Sequence, residues 1–394
     1  MEQVIGRAIA LLAVSVAVAI LARRLRLPYT VGLVLTGLAI ALARLDVGLK
    51  LTHEVIFAAI LPPLLFEAAL NLRWRELRRD LVPVLAMSSI GVALCAAVCA
   101  AGLVYILHWQ VGSALVFGAL ISATDPIAVI AVLRENGVRG RLALLIEAES
   151  LANDGAAALA FALVLGAIAA GTAPSILGVA QSFVTIAVGG VACGMAFGLV
   201  AIFVAGRTED HLIETALTTV AAYGSFLVAD DLGASGVLAT VAAGLTMGNI
   251  GIMREDSALT SRGSEFVVAF WEFAAFLANS FVFLLIGLAL ASAPLHDPYK
   301  FAIVVALALV GRAAAVYPVA GAFAFSRWRI PLAQQTFLWW GGLRGALALA
   351  LALSLPPEIG NADQILLASF AVVSFSVLFQ GLTAKRALKL LGLD

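Results

Sequence analysis

The chain has 394 residues, 63% of them hydrophobic and 12% charged, and its 24 Lys and Arg balance its 24 Asp and Glu. A soluble domain carries about 25% charged residues, so this composition excludes a soluble enzyme, and the even balance excludes a basic nucleic-acid-binding face. At about 20 apolar residues per membrane helix the hydrophobic positions supply about a dozen spans, so the expected fold is an all-α polytopic membrane protein.

Hydropathy and loop punctuation predict thirteen spans near 3–22, 27–43, 53–72, 81–107, 111–133, 142–169, 175–205, 212–229, 233–250, 265–291, 300–324, 332–355 and 363–384. They are helices because only a helix satisfies its own backbone hydrogen bonds in hydrocarbon. The first is followed by Arg23, Arg24 and Arg26 rather than a small-residue cleavage site, so a retained helix is expected and not a signal peptide. The loops after odd-numbered spans, with the C-terminal tail, hold 18 Lys and Arg, whereas the alternate loops hold Arg44, Lys50 and Lys300. The positive-inside rule then predicts a multi-pass plasma (inner) membrane protein with its N-terminus outside and its C-terminus cytoplasmic. Cys95, Cys99 and Cys193 sit in apolar runs without CxxC spacing, so packing is expected of them rather than a disulfide framework or metal cage. His53, His108, His211 and His296 all fall at span edges, which disfavours an imidazole-held metal and a Ser-His hydrolase.

Ionisable groups at membrane depth are costly and mark function. The spans contain Glu67, Asp125, Glu149, Asp154, Arg312 and Arg344, while Glu147 and Glu272 lie nearer span ends, where snorkelling or funnel-lining is expected. Span 5 reads Ser122-Ala123-Thr124-Asp125-Pro126 at its centre. Proline removes a backbone donor and clashes with the preceding turn, so an unwound or kinked helix is predicted. The freed carbonyls and half-helix dipoles suit an ion, and Asp125 also suits capping of the second half-helix. Span 12 reads Gly341-Gly342-Leu343-Arg344-Gly345, again at the centre. An odd interval separates the two spans, so they run in opposite directions, the pointer to inverted-topology repeats with two unwound crossing helices. The expected organisation is one transporter unit over 1–394: spans 1–6 (about 1–169), a connector (about 175–205), and spans 8–13 (about 212–384), with no soluble regulatory domain. Arg344 either balances the carbonyl ends of the crossed half-helices or holds the crossing together structurally.

Span 6 carries Glu149-Ser150-Leu151-Ala152-Asn153-Asp154-Gly155. Four-residue spacing stacks Glu149 with Asn153 and Ser150 with Asp154. Ser150 and Asp154 together offer hydroxyl and carboxylate oxygens to one hard cation, and a single full carboxylate favours a monovalent one. Asn153 adds an amide without charge. Glu149 needs a countercharge, for which Arg312 is the expected partner. Glu67, beyond Pro62-Pro63, either reaches the site through water or is structural.

Five strings in order, Leu61-Pro62-Pro63…Phe66-Glu67, Ala123-Thr124-Asp125-Pro126, Glu149 to Gly155, Phe270-Trp271-Glu272 and Gly341 to Gly345, resemble the monovalent cation/proton antiporters, in particular the sodium/proton exchanger branch. The resemblance implies a homodimer with a dimerisation domain and a six-helix core domain of spans 4–6 and 11–13. It implies that Asp154 binds ion and proton alternately, with Thr124, Asp125 and Ser150 beside it (Asp154, Ser150 and Thr124 as Na⁺ ligands) and Glu149–Arg312 as the structural pair. The Asn153-Asp154 pair resembles the electroneutral branch. The expected activity is exchange of Na⁺ or Li⁺ for H⁺ in a lipid membrane, without cofactor or enzymatic reaction. K⁺/H⁺ exchange and, from another class, a cation channel are the alternatives.

Overall fold

The computed structural model describes residues 2–25, 27–43, 52, 55–171, 175–254, 258–292, 297–356, 359 and 361–393. Arg26, Arg44, Lys50, His53 and His296 lie outside the described residues. Among the described residues thirteen helical rods follow in chain order. The first six are α1 (Glu2–Leu25), α2 (Tyr29–Leu42), α3 (Val55–Asn71), α4 (Trp74–Leu107), the broken α5 (Val111–Ile121 and Ile127–Glu135) and α6 (Arg141–Ala170). Next come α7 (Ile176–Ala205), α8 (His211–Asp231), α9 (Gly236–Ile252), α10 (Ser261–Ser292) and α11 (Pro298–Ala322). The last two are the broken α12 (Leu332–Gly341 and Ala346–Leu353) and α13 (Ala362–Leu390). Seven of them are long and apolar enough to cross a membrane as single helices, and most of the others are shorter apolar helices.

Two ends differ from the sequence-based expectation. α4 begins at Trp74 rather than near 81, and α13 runs to Leu390 rather than 384. Both extensions are amphipathic: Leu77 is buried between exposed Arg75, Arg78 and Arg79, and Ala384 and Leu388 are buried beside exposed Lys385, Arg386 and Lys389. A hydropathy average discounts such turns, although one apolar stripe suffices to hold them on the bundle.

The rods pack as two bundles. α4, α5, α6, α11, α12 and α13 surround one another, and α1, α2, α3, α7, α8, α9 and α10 form the second group. Part of the neighbour pattern maps onto itself when each of α1–α6 is exchanged with the rod seven places later: α2 against α10 becomes α9 against α3, and α4 against α11 is its own image, whereas the packing of α7 on α8 and α9 falls outside this exchange. In the first of these pairs a Cβ at Gly37 would strike the Leu284 carbonyl, and one at Gly287 the Val34 carbonyl. Where water cannot drive association, such close backbone approach is how membrane helices gain packing energy. The second bundle also carries polar ties. Trp271 Nε1 donates to Thr218 Oγ1 at 2.9 Å, and buried Glu214 accepts from the backbone N–H of Thr260 at 3.0 Å, just ahead of α10.

Candidate functional site

α5 and α12 both lose helical structure at the centre of the core bundle, and there the two extended segments cross. The Asp125 N–H donates to the Leu343 carbonyl at 2.7 Å, an isolated antiparallel bridge. Pro126 carries no N–H, and the Asp125 carboxylate accepts instead from the Ile127 N–H at 3.0 Å, capping the second half of α5. Glycine is required in the other strand by closeness, not by dihedral angle. Gly345 has an ordinary extended backbone, yet a Cβ on it would overlap the Asp125 side chain, and one on Gly342 would overlap the Arg312 guanidinium. Gly345→Ala is therefore expected to force the strands apart at a cost of about 1–3 kcal/mol. Thermal unfolding of the purified variant in detergent measures it, and an unchanged midpoint counts against the close crossing.

The carbonyl ends of the first half-helices are satisfied separately. Arg344 Nη1 donates to the Ser122 and Ala123 carbonyls at 2.7 and 3.0 Å, at the end of the α5 half-helix. It does not serve α12 in the same way. There Arg312 Nη2 reaches the Leu338 carbonyl at 3.2 Å, and Gln380 Nε2 reaches the Trp340 carbonyl at 2.8 Å. Each cation sits against a helix C-terminus, where the macrodipole favours positive charge.

α6 supplies the remaining groups. Glu149 and Arg312 form a two-pronged ion pair at 2.7 and 2.9 Å, both side chains buried. Asn153 Nδ2 donates to the Ser122 carbonyl (3.0 Å), Thr124 Oγ1 (3.2 Å) and Glu149 Oε1 (3.3 Å), which fastens α6 to the unwound part of α5. Thr124 Oγ1 and Ser150 Oγ lie 3.0 Å apart. A cavity of about 90 Å³ opens beside them, walled by Thr124, Asp125 and Asp154 from the core bundle and by Glu67 and Asn279 from α3 and α10. Ser150 stands behind Thr124 and does not line this cavity. Asp154 Oδ1 is buried without a hydrogen-bond partner among the described residues. Glu67 Oε1 accepts from Asn71 Nδ2 at 2.9 Å. Glu147 is half-buried and Glu272 is exposed.

Several groups at the site escape a search for charges. Gln380, 1% exposed, takes a 2.7 Å hydrogen bond from Ser376 while holding Trp340. Cys95, expected only to pack, accepts a 3.6 Å hydrogen bond from Arg344 Nη2. Neutral amides at membrane depth, Gln380 and Asn279 among them, are the signal that could have found part of this set. Charges assigned to loops also conceal a tie: Arg141 pairs with Asp80 at 2.7 Å and donates to the Arg329 carbonyl at 2.8 Å, joining α4, α6 and the α11–α12 connection.

Three comparisons bear on this geometry. A family model described as "Sodium/hydrogen exchanger, transmembrane" matches residues 10–390. The chain is 41% identical over 373 residues to the Na⁺/H⁺ antiporter ApNhaP of Aphanothece halophytica, covering 93% of this chain and 70% of that protein. It is 38% identical over 395 residues to the low-affinity Na⁺/H⁺ antiporter NhaS1 of Synechocystis sp., covering 97% and 73%. Its fold matches that of the sodium proton antiporter MjNhaP1 from Methanocaldococcus jannaschii with a TM-score of 0.81 at 21% identity, over 99% of both chains. The chain is a multi-pass membrane protein and belongs to the sodium/hydrogen exchanger family.

Proposed function

We propose that this chain exchanges one Na⁺ (or Li⁺) for one H⁺ by alternating access, with ion and proton competing for Asp154. The observation that carries this reading is the unpartnered Asp154 carboxylate oxygen at a cavity beside two crossed, unwound helices. Thr124 and Asp125 add oxygens on the same wall, and Ser150 orients the Thr124 hydroxyl from behind. Hard oxygen donors with few carboxylates suit an alkali cation.

Charge supports the one-for-one stoichiometry. Glu149 and Arg312 cancel, the Arg344 guanidinium is committed to the Ser122 and Ala123 carbonyls and the Asp125 carboxylate to the Ile127 N–H, and Asp154 is left without an ion-pair partner among the described residues. One monovalent cation or one proton neutralises it. A bare carboxylate resists transfer through low dielectric, so the core bundle of α4–α6 and α11–α13 moves against the second bundle only when Asp154 carries a ligand. That coupling is the exchange. The two repeats, 1–169 and 212–384 with 175–205 between them, supply two related access states. The protein works as a homodimer paired through the second bundle, in the plasma membrane with its C-terminus cytoplasmic, as the concentration of Lys and Arg in alternate loops supports.

The test is reconstitution into proteoliposomes with an imposed ΔpH reported by a quenched dye. Addition of Na⁺ or Li⁺ is expected to dissipate the gradient without electrical current. A stronger response to K⁺ would move the reading to K⁺/H⁺ exchange, and a cation current without proton counterflow would make the protein a channel.

A further inference from the structure

The cavity at Asp154 lies in the joint between the bundles, and its second-bundle wall is mostly apolar. α3 contributes Leu61, Leu64, Leu65 and Ala68 with one polar group, Glu67, and α10 contributes one residue, Asn279. Glu67 is engaged by Asn71. Asn279 differs: its Oδ1 is enclosed and has no hydrogen-bond partner among the described residues, as is true of Asp154 Oδ1 on the opposite wall. An enclosed amide oxygen without a partner costs about 1–3 kcal/mol, and an apolar residue at this position would remove that cost. The rotation of α10 that directs Asn279 to the cavity is fixed one residue on. Buried Ser280 shares a 2.6 Å hydrogen bond with the Tyr29 hydroxyl of α2, and the Tyr29 ring stacks on Phe276 at 5.5 Å between centroids.

We infer that Asn279 is a cation ligand supplied from the opposite bundle: its amide oxygen completes the coordination of the alkali ion held by Asp154, Asp125 and Thr124. This inference rests on the ion site proposed above. Asn279 moves with α10 and the ion moves with α5 and α6, so the contact exists only while the bundles are in the present register. When the core bundle shifts, the oxygen is left behind and the ion is bound one ligand short. Asn279 thus makes affinity differ between the two faces and helps release on the far side. A neutral oxygen serves this purpose better than a carboxylate, because it strengthens ion binding without giving the cavity a further charge to neutralise.

The experiment measures the Na⁺ KM of Asn279→Leu and Asn279→Asp from each side, in right-side-out and everted membrane vesicles. Asn279→Leu is expected to raise KM about tenfold on one face, the loss of one charge-assisted contact, with a smaller change in KM on the other face. Asn279→Asp, which keeps an oxygen in place, is expected to hold KM at or below the parent value on that face. An unchanged KM on both faces overturns the inference, as does an equal rise on both. Should Asn279→Leu fail to fold, Asn279→Asp with a raised KM overturns it too. These results are distinct from failure of the Asp154 reading, in which exchange persists in Asp154→Asn whatever Asn279 does.

Discussion

Replacing Asp154 with Asn is expected to abolish Na⁺/H⁺ exchange while leaving a folded protein. The substitution keeps the shape of the side chain and removes its charge and its proton. Neither Na⁺ nor H⁺ can then neutralise the site in turn, and the coupling disappears. Folding is spared for a specific reason: among the described residues Asp154 takes part in no ion pair, and its Oδ1 has no hydrogen-bond partner. Removing an uncompensated buried charge relieves a desolvation cost rather than creating one. The thermal midpoint is therefore expected to be unchanged or higher. Proteoliposome ΔpH assays and a monodisperse elution profile check the two halves of the result. pH-dependent exchange by the variant at the parental rate would sink the assignment.

Arg312→Ala has the opposite expected signature, loss of folded protein ahead of any change in transport chemistry. Arg312 neutralises Glu149, reaches the Leu338 carbonyl and packs beneath Gly342. Truncation leaves a buried carboxylate with Asn153 as its remaining donor among the described residues, and breaking such a pair costs about 3–5 kcal/mol. It also exposes the end of the first half of α12. Yield of monodisperse protein and thermal midpoint are the measurements. Combining Arg312→Met with Glu149→Gln is expected to recover much of the folded yield, because it removes the stranded charge as well as its partner. A well-expressed, fully active Arg312→Ala protein would refute the structural role of the pair.

Much of the architecture is legible in the chain because a bilayer leaves few solutions. Apolar runs must be helices, loop charges accumulate on one side, and Pro126 and Gly341-Gly342 announce the breaks in α5 and α12. The site is legible in part for the same reason: Glu149, Asp154, Arg312 and Arg344 stand out against hydrocarbon. Partnership is another matter. Glu149 meets Arg312 across 163 positions of sequence, and no local spacing encodes that. The division of labour between Arg344 at α5 and Arg312 with Gln380 at α12 likewise depends on which carbonyls face which side chains. Ser150 and Asp154, one turn apart on α6, look equally available from sequence, yet packing turns Ser150 toward Thr124 and leaves Asp154 facing the cavity.

By itself the sequence determined that this is a helical membrane protein with two broken helices and a charged interior, since hydrophobic content and the cost of buried charge act on composition and short motifs. Only the tertiary structure decided how the crossing is closed, which carboxylate is left unpaired and which amide from the opposite bundle faces it. Those outcomes are set by the approach of α5 to α12 and by the cavity that α3 and α10 wall opposite Asp154, where an ångström decides whether a hydrogen bond forms.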